Sequence, residues 1–454
     1  MMIQKDEHIQ ESVFKRKLLS ERIHYRAPFN YVILTAKIEG KIPVDSLKNA
    51  LDKVSIKHPL LRSRIELEED GTAWFIPRDG RELPVEVVNK QSDIHWIEKT
   101  IDEYKKPFQL EKGPMIRFIL LDSPDSSDLL VVCHHSICDG ISLVYLLRDI
   151  MTFLDNPDKE AGPLPAPPVL DIHCFPGSAR IGLLPRLVFG YFNNSWKKQK
   201  KVFREEDYRK IYKNYWDKEK LNIITHSMDE ESVNSLVLRC RKEGVTVNSA
   251  VSTAFIIAQN VVQKNVPHFS KTGVAVNLRS RMADSPGEGM GMFAGGSAVQ
   301  LKYDSGKSFW ILTREFDRQV KKLLADGHKL YELLLFNMLD QTLIDAVFFH
   351  LFGNFENKTA AAFTKLLHFD KKKPGLGVTN LGKVDIPLVY GPYKLKTLFF
   401  VPPNIPGSEK ILGVVSAGGR MNLSLACLQS YLDVVAMNSV MDYAIDCLGK
   451  ATKN

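Results

Sequence analysis

The stretch that decides the fold is "LLVVCHHSICDGISLVYLLRDI", Leu129 to Ile150. An apolar run ends in two adjacent histidines. Asp139 and Gly140 follow three residues later, and a second apolar run begins at once. Up to His135 the composition is that of a buried strand. After Gly140 the period changes, and Leu143, Leu146, Leu147, Ile150 and Met151 mark one face of a helix. A strand-to-helix corner therefore carries His134, His135 and Asp139.

Three chemistries compete for such a corner. Successive strand residues point to opposite faces, so His134 and His135 do not share a metal ion unless the strand breaks between them. No HExxH is present either, and no metal is expected. A serine nucleophile of the α/β-hydrolase kind needs GxSxG, and "GGSAV" (Gly295 to Val299) fails at its last position. Cys138 lies inside the motif, but cysteine is a common packing residue. General-base catalysis by one imidazole remains, with the other ring packed inward. Asp139 has three open roles: orienting the imidazole, capping the helix, or pairing with a distant arginine. Gly140 permits a tight turn and close approach.

Working outward, "MIRFILL" (Met115 to Leu121) and the motif strand flank "DSPDSSD", a cluster of turn formers, and read as a hairpin. "NYVILTAKIEG" (Asn30 to Gly40) is a strand, and "VDSLKNALDKV" has helical spacing. "NPDKEAGPLPAPPV" (Asn156 to Val169) is the best linker. An apolar stretch from Leu183 then gives way to a basic one ending at Lys201. It reads as a surface excursion packed on the body, or as a face for a membrane or an acidic partner. In the second half, "VNSAVSTAFIIAQNVVQ" reads as a helix capped by Asn248 or Ser249. "GVAVNLRSRM" is a strand entering a charged loop, and two β runs surround Gly418-Gly419. A closing helix follows. The apolar segment Leu330 to Phe369 is core packing or a wall for a hydrophobic substrate. The expected division is 1–160 for a first lobe, 161–220 for a linker and excursion, and 221–454 for a second lobe.

The chain has 454 residues, enough for two or three domains, and no uncharged apolar run reaches the ~20 residues of a membrane span. The N-terminal "MMIQKDEHIQESVFKRKLL" lacks a signal-peptide core. Six scattered cysteines form no CxxC pair and suit a reducing compartment, so a cytoplasmic protein is expected. The net charge of +8 suits an anionic ligand such as a coenzyme A phosphate or an acidic carrier protein. No nucleic-acid motif appears.

"HHSICDG" fits the HHxxxDG signature and resembles the condensation-domain superfamily of acyltransferases. "HPLLRSRI" (His58 to Ile65), "VNLRSRM" (Val276 to Met282), "GMFAGG" (Gly291 to Gly296) and "GVTNLGKVD" (Gly377 to Asp385) are similar to further segments of that group, in the right order. The last of these has Thr379 where the alcohol acetyltransferase-like members have serine. The resemblance implies an α/β (α+β sandwich) fold: two chloramphenicol-acetyltransferase-like lobes with the active-site tunnel between them. It implies His135 as general base, with His134, Asp139, Gly140 and Arg279 structural and Asp139 paired to Arg279. Arg62 and Asn380 are expected to line the site. The DFGWG motif of plant members is absent, and no carrier or adenylation domain is attached, so a stand-alone enzyme is expected.

The activity implied is O-acyl transfer of alcohol-acetyltransferase type, from a thioester to a small or lipid-like alcohol. Acyl-CoA or an acyl-carrier protein is co-substrate, and no cofactor is permanently bound. The alternatives are a condensation enzyme taking a carrier-protein thioester and an amine or hydroxyl acceptor, and a non-catalytic binding member. Peripheral membrane contact is a variant of the first reading.

Overall fold

The computed structural model describes residues 14–80, 82–175, 182–263, 271–326, 332–370, 375–404 and 410–453. The N-terminal stretch examined for a signal peptide lies largely outside them, as does Leu330 at the start of the apolar segment.

Two six-stranded sheets organise the chain. In the first, Ser126–His134 and Tyr31–Glu39 are central and antiparallel, with His134 opposite Tyr31. Ile116–Asp122 forms the expected hairpin with Ser126–His134. Tyr31 to Ala36 and Ser127 to His134 are buried without alternation, as in a sheet covered on both faces. In the second sheet, Lys271–Asn277, Leu376–Lys383 and Lys410–Ala417 run parallel, while Ala294–Gln300, Arg420–Leu428 and Leu221–Met228 are antiparallel to their neighbours. Gly418 (φ 56°) and Gly419 (φ 80°) make the two-residue turn joining Lys410–Ala417 to Arg420–Leu428. Positive φ at both positions favours glycine there.

Tyr393–Val401, from the second half of the chain, pairs with Tyr31–Glu39 and completes the first sheet. A division at residue 221 accordingly does not separate the two sheets. Within 161–220 the chain packs on the body. Glu205–Lys218 buries Tyr208, Ile211, Tyr212 and Trp216, and the Trp216 indole donates to the Pro28 carbonyl. A β register is set by hydrogen bonds between segments far apart in the chain, which local composition does not specify.

Helix Val247–Val262 is capped by Thr246, two residues before Asn248 and three before Ser249, the expected caps. The Thr246 backbone is extended, and its hydroxyl accepts from the Ser249 N–H, which leaves Asn248 and Ser249 inside the first turn. The segment ending at Phe369 forms Glu332–Met338, Gln341–Phe352 and Lys358–Leu366. Leu343, Ile344, Val347, Phe348 and Phe363 of this layer are buried in the main core.

Candidate active site

The motif strand ends at His134, and helix Gly140–Asp155 begins five residues after His135. The two imidazoles part company at this corner. His134 is fully buried beside Tyr31 and Phe108, and its Nδ1 lies 2.8 Å from the Ser136 hydroxyl. Burial holds its pKa down at about 3. His135 is only half-buried. Its Nδ1 is 2.8 Å from the Cys138 carbonyl, which only accepts, so Nδ1 carries the proton. The neutral ring then has its lone pair on Nε2, the form a base requires. Burial lowers the His135 pKa, while the Cys138 carbonyl and the charge of Asp139 oppose that shift.

His24 stacks on His135, with ring centroids 4.1 Å apart and planes at 38°. Asn30 sets this contact. Its side-chain amide donates to the His24 carbonyl, and its own carbonyl accepts the His135 N–H. The short helix Arg22–Tyr25 that carries His24 is pinned by buried arginines on either side. Arg22 makes a two-pronged ion pair with Asp345, and Arg26 reaches Glu205 and Glu111. Sequence reasoning did not single out His24. Over a hundred residues separate it from the motif, and its stretch carries no spacing signal. The density of charge in "ERIHYR" ahead of the apolar start of a strand was the available hint.

Asp139 faces the other way. It caps the motif helix by accepting from the Ser142 N–H at 2.7 Å, a worthwhile interaction at a helix start. The same Oδ1 lies 3.3 Å from Arg279 Nη2, and Oδ2 accepts the Phe293 N–H at 3.0 Å. Arg279 also donates to Ser142 Oγ and to the carbonyls of Gly287 and Gly289. Of the three roles open to Asp139, the geometry contains the cap and the arginine pair. Its carboxylate oxygens are committed to these partners, and the His135 Nδ1 is held by a backbone carbonyl instead.

Gly140 owes its identity to space, since its φ is not positive. A Cβ there would meet Leu381 Cδ2 at 2.5 Å and the Phe400 ring at 2.8 Å, so the close approach is to these side chains. Leu381 follows Asn380. The Asn380 side chain itself accepts the Gly382 N–H at 2.7 Å, across a shift of strand register. Arg62 ends the turn Pro59–Arg62, and its carbonyl holds the Arg78 N–H, so it is carried by the small three-stranded sheet. His58 of the same stretch braces the motif helix, with Nε2 2.9 Å from Asp149 Oδ2. Cys138 is fully buried, and burial raises its thiol pKa well above the usual range, which removes it as a nucleophile.

The fold is a mixed α/β one with two six-stranded sheets, and His135 stands at a strand-to-helix corner of the first. Residues 8–171 match the family described as Condensation domain. The chain is 31% identical over 135 residues to the nonribosomal peptide synthetase penN of Penicillium thymicola, covering 29% of this chain and 5% of that protein. It is 24% identical over 125 residues to surfactin synthase subunit 1 of Bacillus subtilis, covering 27% and 3%. The matches thus span a small fraction of those long relatives. The fold extends over nearly the whole chain. Trichothecene 15-O-acetyltransferase of Fusarium sporotrichioides superposes with a TM-score of 0.66 at 11% identity, covering 97% of this chain and 96% of that one. Polyketide synthase associated protein 5 of Mycobacterium tuberculosis gives 0.61 at 13% identity, covering 96% and 98%.

Proposed function

We propose that the protein is an acyltransferase that moves an acyl group from a thioester to a hydroxyl, with His135 as general base. The observation that carries this is the bond from His135 Nδ1 to the Cys138 carbonyl, which leaves Nε2 as the proton acceptor. The acceptor hydroxyl gives its proton to Nε2 as its oxygen attacks the thioester carbonyl. A carbon–oxygen bond forms and the carbon–sulfur bond breaks, and the imidazolium returns the proton to the departing thiolate. The backbone N–H of Gly140, in the first turn of the motif helix, is the proposed donor to the oxyanion.

The donor in this reading is acyl-CoA and the acceptor an alcohol. A specific observation favours a second donor: the curated relatives named above are a nonribosomal peptide synthetase and a surfactin synthase, which points to a carrier-protein thioester with an amine or hydroxyl acceptor. The test is thiol release from a panel of acyl-CoA donors and from acylated carrier protein, with alcohol or amine added, for wild type and His135→Ala. Release that rises with acceptor and requires His135 supports acyl transfer, and the donor that works decides between the readings. No release from any donor by the folded protein would leave a binding role.

A further inference from the structure

Helix Leu183–Lys197 is apolar on two opposite sides. Phe189, Phe192 and Trp196 point inward, with Phe192 against Phe363 and the Trp196 indole donating to Thr342. A helix with one buried stripe normally turns polar residues outward. Here the outer side carries Leu183, Leu184, Leu187 and Tyr191, exposed by 78%, 72%, 72% and 69%. Helical spacing puts Leu183, Leu187 and Tyr191 in one row, and exposed Lys198 continues it. From Gly182 to Arg204 the sequence has Arg186, Lys197, Lys198, Lys200, Lys201 and Arg204 and no acidic residue; of these Lys200 pairs with Asp340, and Glu205, Glu206 and Asp207 follow. A contiguous patch of large exposed side chains in a cationic frame marks a binding surface.

We propose that this helix lies in the surface of an anionic lipid bilayer, its outer row among the acyl chains and its lysines among the headgroups. The charge selects this occupant: a second copy of the chain would bring two like-charged frames together, whereas anionic lipids neutralise them. Among the described residues no single helix is long and apolar enough to cross a membrane, and the geometry here is that of a helix in the plane. Phe363, beneath this helix, lines an apolar seam with Phe348 and Ile23, and Ile23 precedes His24.

The test is flotation of the whole protein with vesicles of phosphatidylcholine alone and of phosphatidylcholine mixed with phosphatidylglycerol. Wild type is expected to float with the mixed vesicles only, and less at high salt. Leu187→Ser/Tyr191→Ser should bind at least about tenfold more weakly. Lys197→Glu/Lys198→Glu should also lose binding. Wild type that stays down with both lipids overturns the proposal, as does a Leu187→Ser/Tyr191→Ser protein that floats like wild type. Sedimentation equilibrium that finds a dimer dissociated by Leu187→Ser/Tyr191→Ser would assign the face to a second copy and equally overturn it. Thermal unfolding of the variants controls for their fold. Thiol release from soluble donors is scored separately, so loss of flotation and failure of the acyltransferase reading are told apart.

Discussion

His24 and His135 lie ring on ring, 4.1 Å between centroids, although 111 positions separate them in the chain (135 − 24). Asn30 grips both, one through its side chain and one through its carbonyl. Burial and the adjacent His135 keep the His24 pKa well below the usual histidine value, so the ring beside the proposed base stays uncharged. His24 is a neutral wall against which the His135 ring is held.

The first prediction concerns the base. His135→Ala should lower thiol release about a hundred- to ten-thousand-fold, with the fold retained. The neutral form acts as base and its pKa is lowered by burial, so wild-type activity should rise with pH along a limb centred below 6.5 and be flat at neutrality. A limb centred above 6.5 would count against this assignment.

His24 is a positioning residue in this arrangement. His24→Phe keeps a flat ring in the stack and should leave kcat within about threefold, while His24→Ala frees the His135 ring and should lower kcat about tenfold or more. The KM for the donor should move less than kcat in His24→Ala. Equal loss in both variants would mean that the imidazole nitrogens of His24 themselves matter.

Asp139 and Arg279 tie the two lobes together. Removing one partner of a buried ion pair leaves the other charge uncompensated, so Asp139→Ala should cost about 3–5 kcal/mol in urea unfolding. A cost under about 1 kcal/mol would place the pair among exposed salt bridges, against its burial.

Asp149 gives an acid-stability test. Burial alone would raise its pKa, but bonds from His58 and Lys57 hold it down at about 2, below the ordinary 3.8. A carboxylate with a depressed folded pKa stabilises fully above 3.8 and loses that contribution as pH falls through 2. The change is about 2 kcal/mol. In Asp149→Asn, unfolding free energy measured between pH 5 and pH 2 should decline less steeply than in wild type.

Gly140→Ala places a Cβ against Leu381 and Phe400 and should destabilise by about 1–3 kcal/mol while disturbing the corner. Leu381→Ala in the same chain should restore part of the loss, because the nearest clashing atom is the tip of that leucine. No restoration would place the strain at Phe400.

The local elements were legible because their signals are local. The switch from apolar run to helical period at Gly140 marks the corner, and side-chain alternation predicts that one histidine packs inward while the other faces out. The glycine pair at 418 and 419 marks its hairpin for the same kind of reason. The capping side chain lay two or three residues from its expected place because several hydroxyl and amide residues crowd that helix start. Backbone conformation at Thr246 decided among them.

By itself, the sequence determined the strand, the corner, the helix and the chemistry on offer at His135, since each follows from periodicity and side-chain type over a few residues. Only the tertiary structure decided that Tyr393–Val401 completes the first sheet, that His24 stacks on His135, that Leu381 and Phe400 require a glycine at 140, and that Leu183, Leu187 and Tyr191 are left outside. Those facts are contacts between segments distant in the chain. Such contacts are fixed by packing and hydrogen bonding across the whole fold, which no local pattern encodes.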